Sequence, residues 1–126
     1  MISFYYSPDF CAGSFRSQSL VNALLKNKKF KKIIVFTTQP QRYGHMKNIK
    51  KIEKHNNLVI YRFYTPEHNN KFYKQCICYL FFFIKCIIYG IKNSKNIDGI
   101  FATSSRFGTA FLGFLMSIFL RKNYAL

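Results

Sequence analysis

The sequence predicts an α/β domain, because short apolar runs alternate along the chain with segments of helical periodicity. The runs Ile2 to Tyr6, Ile33 to Phe36 and Asp98 to Thr103 are typical of buried strands. At 126 residues, 49% of them hydrophobic, the chain is long and apolar enough to bury one core. Strands and helices that alternate at this spacing favour a parallel sheet with flanking helices.

The first helix is predicted from about Phe15 to Asn27, with Gly13 and Ser14 ending the preceding loop and capping the helix. Gln39 to Asn57 is polar and basic, which predicts a long surface loop with one short helix around Lys47 to Lys54. Leu58 to Tyr64 is rich in β-forming residues, with Arg62 as the charged residue on one of its two faces, which predicts a strand towards the edge of the sheet.

The segment Phe72 to Ile91 is apolar enough to raise the question of a membrane span. At about 100° per residue, its charged side chains fall into one narrow stripe. The stripe consists of Lys71, Lys74, Lys85 and Lys92. Because the uncharged run Gln75 to Ile84 is shorter than the roughly 20 residues that a bilayer requires, we expect a buried helix with one solvent-exposed stripe. A final helix carries Phe107, Phe111, Leu115 and Ile118, with Gly108 and Gly113 allowing close approach, and Tyr124 to Leu126 begins a further strand.

The net charge of +16 comes from 20 Lys and Arg residues against four acidic ones. Such a balance suits nucleic acid, anionic lipid or a phosphorylated ligand, while a chain rich in Lys, Asn, Ile, Phe and Tyr is also typical of A/T-rich coding sequence. Both explanations stay open. Nucleic acid is the less favoured partner, because no helix-turn-helix, zinc finger or RNA-binding sheet motif occurs.

The cysteines and histidines do not form a recognisable site in the sequence. Cys11, Cys76, Cys78 and Cys86 lack paired spacing, and the three histidines stand in polar segments without ligand spacing, so no metal cofactor is expected. Reduced cysteines and the absence of a basic, apolar leader predict a cytoplasmic protein.

Two predicted loops follow strands at their carboxyl ends, Ser7 to Arg16 and Thr103 to Gly108. In a parallel, Rossmann-like sheet both open on the same edge, where ligands bind. A helix N-terminus at Gly13 would suit an anion, and Arg16 would add a fork-shaped donor. Neither loop matches a GxGxxG or P-loop motif, which disfavours nucleotide sites of those types.

Three segments in order resemble a known family. They are SPDFCAGSFR leading into a helix SxxLVNAL, then IIVFTTQPQRY, then DGIFATSSRFGTAFLG. Together they resemble the N-terminal domain of family-4 glycosyltransferases of the GT-B fold, in particular bacterial enzymes that build surface polysaccharide. The resemblance covers essentially all 126 residues.

The resemblance implies transfer of a sugar from a nucleotide-sugar donor to a lipid-linked glycan with retention of configuration and without a metal. It implies that Gly13, Ser14 and Arg16 lie near the donor diphosphate and acceptor, and that one later loop faces the acceptor. That loop contains Thr103, Ser104, Ser105 and Arg106. The alternatives are a helix cap at Ser14 with an exposed Arg16, and an ordinary strand-to-helix turn with a serine cap after Thr103. Arg42 and Tyr43 are further candidates for the same cleft, with solvated loop residues as the favoured alternative.

The sequence also departs from the family pattern. Family members continue into a C-terminal donor-binding domain with a paired-glutamate motif, which Glu53 and Glu67, expected in or beside loops, cannot supply. Residues 1–126 are therefore expected to be a partial, acceptor-side domain, inactive in isolation and held peripherally on an anionic membrane by the lysine stripe. The alternative is a non-enzymatic basic protein that binds nucleic acid or inserts a hairpin of Phe72 to Ile91 and Phe107 to Leu120.

Overall fold

The structure is a computed structural model that describes residues 1–27, 30–40, 49–66, 71–104 and 106–126. Within these ranges the chain has a mixed α/β fold, as the alternation of apolar runs predicts. The helices are α1 (Ala12–Lys26), α2 (Phe72–Lys92) and α3 (Phe107–Leu120), with a 3-10 turn at Ser94–Asn96. The strands are β1 (Ile33–Thr38), β2 (Ile52–His55), β3 (Leu58–Phe63), β4 (Gly99–Phe101) and β5 (Asn123–Ala125).

Two small sheets are joined by the N-terminal segment, residues 1–6. One sheet has the order β1-β3-β2, with β3 parallel to β1 and antiparallel to β2, and the other pairs β4 with β5 in parallel. Ile2 forms parallel bridges to Phe36 on one side and Ala102 on the other. Across the molecule the strands therefore read β2, β3, β1, the N-terminal segment, β4 and β5. The sheet is mixed rather than wholly parallel, and the predicted first strand pairs through bridges at Ile2.

Strand β2 differs from the sequence expectation. Ile52–His55 is extended and pairs with β3 where we expected a short helix within a long loop, so that part of the prediction is wrong. A turn at residues 56–57 joins the two strands, and β3 lies between β1 and β2 rather than at the edge. The two strands form a local hairpin, and Arg62 Nε on β3 donates to Glu53 Oε1 on β2 at 3.1 Å. Residues 41–48 of the predicted loop lie outside the described residues.

Helices cover both faces of the strands. Because successive strand residues point to opposite faces, β1 contributes Ile33 and Val35 to one cluster and Ile34 and Phe36 to the other. The first cluster packs under α1 through Val21, whereas the second receives α2 and α3. The helical side chains in the second cluster are Cys78, Phe82, Cys86, Leu112 and Met116. This arrangement places α2 and α3 together on the side opposite α1.

Helix α2 is less buried than expected from the sequence, which predicts a buried helix with one solvent-exposed stripe. Cys78, Phe82, Cys86 and Gly90 are buried, but only 22% of an apolar stretch of 18 residues in this helix lies inside the fold. Cys78, which the helical angles place near the lysine stripe, is fully buried. The helix therefore packs on the sheet along one face only, and much of its apolar surface faces outward.

Close approach at Gly113, expected from the sequence, is present where α3 crosses β4 and β5. A Cβ atom there would lie 2.5 Å from Ala102 Cβ and 2.8 Å from Tyr124 Cε2. We expect Gly113→Ala to lower the free energy of unfolding by about 1–3 kcal/mol, because the overlap outweighs the better helix propensity of Ala. Denaturant unfolding followed by circular dichroism measures this change.

The matched control is Gly99→Ala on β4. A Cβ at that position meets only the Asn123 carbonyl oxygen, at an ordinary 3.7 Å, so we expect a change within about 0.5 kcal/mol. Equal stability of the Gly113→Ala and Gly99→Ala proteins would contradict the packing of α3 described above.

Candidate functional site

The loops that follow residues 1–6 and β4 lie side by side. The Thr103 N–H donates to the Ile2 carbonyl at 3.0 Å, and Thr103 Oγ1 donates to Ser3 Oγ at 3.3 Å. Both loops leave the carboxyl ends of neighbouring parallel segments. The structure thus brings together the two loops that the sequence singles out.

The first loop turns sharply before it enters α1. The Asp9 N–H donates to the Tyr6 carbonyl at 3.1 Å, and the Cys11 N–H donates to the Asp9 carbonyl at 3.2 Å, while the Ser7–Pro8 peptide bond is cis. Helix α1 begins at Ala12, three residues earlier than expected, with Cys11 in extended conformation at the N-cap position. The first turn of α1 carries no acidic side chain and no side-chain cap, while the buried Asp9 lies two residues before the N-cap.

Of the three residues predicted in this loop, Ser14 has the most unusual environment. Its side chain is 1% exposed, and Oγ has no hydrogen-bond partner among the described residues. Since Cys11 occupies the N-cap, the alternative that Ser14 caps the helix is wrong. Gly13 is half-buried in the first turn, while Arg16 is exposed and its Nε donates weakly to the Ala12 carbonyl at 3.4 Å.

A cluster of hydroxyl groups beneath the two loops was not anticipated from the sequence. Ser3 Oγ lies 2.8 Å from Ser17 Oγ, and Ser17 Oγ also donates to the Gly13 carbonyl at 2.8 Å. With the bond from Thr103, the cluster connects the N-terminal segment, α1 and the loop after β4. A serine inside the apolar run Ile2 to Tyr6 is the signal that indicates such a buried, satisfied polar group.

The second loop is anchored by Arg106. Its guanidinium carbon lies 4.9 Å from the ring centroids of both Phe4 and Tyr5 and 5.5 Å from that of Tyr79, and Nη2 donates to the Tyr5 hydroxyl. Burial raises the pKa of the Tyr79 phenol, and the neighbouring Arg106 opposes part of that rise. Arg106 therefore braces the loop against aromatic rings, and this role was not expected from the sequence.

The remaining predicted residues are distributed as follows. Thr103 is half-buried and Ser104 is exposed. Lys71, Lys85 and Lys92 are exposed on or just before α2, whereas Lys74 is half-buried. Ser105, Arg42 and Tyr43 lie outside the described residues.

Other parts of the described chain offer weaker chemistry. No three His, Cys, Asp or Glu side chains within the described ranges lie close enough to hold a metal ion. An open depression lies at the turn between β2 and β3, lined by Leu25, Leu58 and four polar residues from Lys54 to Asn57. Leu58 pairs with Ile33 where both strands begin, so this depression is at the opposite end of the sheet from the two loops.

Comparisons with known proteins identify no relative of this chain. Protein-family models, curated proteins and solved structures were each searched, and none matches the chain. The functional argument consequently depends on the residues and geometry described above.

Proposed function

We propose that residues 1–126 form the acceptor-side part of a GT-B glycosyltransferase that moves a sugar from a nucleotide-sugar donor to a lipid-linked glycan. The strand order supports this proposal. From β3 through β1, the N-terminal segment and β4 to β5, neighbouring strands are parallel, with α1 on one face and α2 and α3 on the other. A doubly wound, Rossmann-like sheet has this order.

The observation that carries the proposal is the meeting of two loops where the strand order reverses. The N-terminal segment pairs on one side with β1, which follows it in the chain. On its other side it pairs with the end of β4, which comes later in the chain. In open α/β sheets, ligands bind in the crevice formed at that point by the loops at the carboxyl ends of the strands. The bond between Thr103 and Ser3 links the two segments from which these loops leave the sheet.

The residues in the crevice suit a diphosphate and a hydroxylated acceptor. The amides of the first turn of α1 and the unused Ser14 hydroxyl provide donors for a phosphate, and Arg16 on the same helix can turn its guanidinium towards it. Thr103 and Ser104 offer hydroxyl groups to a glycan. In this proposal a separate donor-binding domain supplies the other nucleotide contacts, and no metal is needed.

Binding of inorganic pyrophosphate tests the phosphate part of the site. We expect a titration monitored by amide NMR to shift the signals of residues 12–14 and 103–104. The affinity should be weak, because in this proposal the donor-binding domain supplies the other contacts to the ligand. Ser14→Ala should weaken binding about tenfold, which corresponds to loss of a hydrogen bond to a charged group. A nucleoside-diphosphate sugar such as UDP-glucose should shift the same signals and compete with pyrophosphate.

Ser19→Ala is the matched control, because Ser19 is exposed on the same helix. It should leave the affinity unchanged. Arg16→Gln should weaken binding, whereas Lys31→Gln, which lowers the net charge by the same amount at an exposed position, should not. Equal weakening by Ser14→Ala and Ser19→Ala, or shifts confined to the lysines, would contradict the proposed site.

A further inference from the structure

The outward surface of α2 is apolar over its full length. Seven large side chains on this helix are each between 44% and 58% exposed. They are Tyr73, Ile77, Leu80, Phe81, Ile84, Ile88 and Ile91. At about 100° per residue, all of them fall within a sector of about 100°, opposite the face that carries Phe82 and Cys86 into the core. A soluble surface helix normally presents polar residues there.

Helix α3 extends this surface. Its outward side chains are all exposed: Phe107, Phe111, Phe114, Ile118 and Phe119. Because α2 and α3 pack against one another and over the same core, their outward sides face the same way. We call these twelve residues the outer apolar face. Exposed patches of this kind mark interaction surfaces.

The charged side chains of the two helices that form the outer apolar face are all positive. Neither α2 nor α3 contains an acidic residue, and Lys74, Lys85 and Lys92 lie along one border of the α2 sector. The long methylene stems of these lysines can lie along apolar surface while the ammonium groups reach water or phosphate. An apolar sector with a lysine border is typical of helices that lie in a membrane interface.

We propose that the outer apolar face docks into an anionic lipid bilayer, with α2 parallel to the membrane plane at the boundary of headgroups and acyl chains. The lysine border and the net charge of +16 supply the electrostatic complementarity to anionic headgroups. A second copy of the chain is a poorer occupant, because two such faces would bring lysines together with no acidic residue on either helix to pair with them.

The packing of α2 favours docking over spanning. Among the described residues, α2 is the helix that is long and apolar enough to cross a membrane. Crossing would require Cys78, Phe82 and Cys86, which are 0–1% exposed, to leave the core that they share with the sheet. Lying in the interface keeps those contacts and inserts only the outer apolar face. This inference does not rest on sugar transfer, and either proposal can fail while the other holds.

Tryptophan reporters test the proposal directly, because the chain contains no Trp. Phe81→Trp places a reporter on the outer apolar face, and Phe15→Trp places one at an exposed position of α1 on the opposite side of the molecule. With vesicles containing phosphatidylglycerol, we expect a blue shift and quenching by brominated acyl chains for Phe81→Trp and neither for Phe15→Trp. The same response from both positions, or none from Phe81→Trp, would overturn the proposal.

Vesicle sedimentation separates the contributions of charge and apolar surface. We expect binding to vesicles of phosphatidylcholine with phosphatidylglycerol and much weaker binding to phosphatidylcholine alone. Lys85→Gln and Lys92→Gln should each reduce the affinity roughly fivefold. Phe81→Gln combined with Ile88→Gln should reduce it by more than about tenfold, whereas the control Phe15→Gln should leave it unchanged.

Three further results would overturn the proposal. Retention in the membrane pellet at alkaline carbonate pH would indicate that α2 spans the bilayer. A stable dimer in sedimentation equilibrium that is lost on substitution of Phe81 and Ile88 would assign the outer apolar face to a second copy. Equal, salt-insensitive binding to neutral and anionic vesicles would remove the role of the lysine border.

Discussion

Replacing Phe82 with Ala is expected to lower the free energy of unfolding by about 3–5 kcal/mol. The Phe82 side chain is 1% exposed and belongs to the core cluster between the sheet and α2. Its ring lies 5.3 Å from the Phe4 ring and 6.2 Å from the Phe63 ring, measured between centroids. Truncation leaves a cavity between three elements, and a domain of this size has only about 5–15 kcal/mol of stability in total.

The neighbouring Phe81 provides a matched control of the same residue type on the same helix. Its side chain is 47% exposed on the outer apolar face, so Phe81→Ala should change stability by no more than about 1 kcal/mol. Denaturant unfolding in the absence of lipid measures both variants. The proposed membrane docking predicts the reverse order for vesicle binding, where loss of Phe81 matters. Equal destabilisation by the two substitutions would show that the orientation of α2 is wrong.

Replacing Glu53 with Gln is expected to lower the free energy of unfolding by about 3 kcal/mol. The Arg62 side chain is 3% exposed, and its Nε donates to Glu53 Oε1 at 3.1 Å. Within the described residues Arg62 Nη1 has no hydrogen-bond partner. The buried positive charge of Arg62 is therefore stabilised mainly by the Glu53 carboxylate. Neutralising Glu53 leaves a buried guanidinium without its counter-charge, which costs more than the loss of a surface ion pair.

Two controls separate burial from net charge in this experiment. Asp98→Asn removes a carboxylate from an exposed position and changes the net charge by the same amount, so we expect little effect on stability. Arg62→Met should cost less than Glu53→Gln, because the Glu53 side chain is 25% exposed and water can solvate the carboxylate that remains. If Glu53→Gln and Asp98→Asn unfold at the same denaturant concentration, the pair does not hold β2 against β3.

Local pattern was sufficient to predict several elements of the fold. The apolar runs at Ile33 and Asp98 correspond to β1 and β4, and the long apolar segment from Phe72 is α2. The positions of the two loops followed as well, because a strand followed by a helix determines which edge of a parallel sheet a loop leaves. Gly113 was identified as a point of close contact, because a glycine in an apolar helix lets a neighbouring element pack against the helix backbone.

The remaining features of the fold and site depend on contacts between different elements. Strand β2 has no apolar period of its own and is extended because it pairs with β3 and with Arg62. The buried Ser3 was not identified as part of the site, because its partners Ser17 and Thr103 come from other elements. The aromatic surroundings of Arg106 likewise combine the N-terminal segment with α2.

By itself the sequence determined the α/β class, the basic character and the two loops, because these follow from residue type and local period. Only the tertiary structure decided which side of α2 is buried. Every position from Leu80 to Ile84 is apolar, so hydropathy cannot distinguish Phe82 in the core from Phe81 at the surface. The distinction arises from the space between the sheet and α3, which accepts one face of the helix and leaves the other outside.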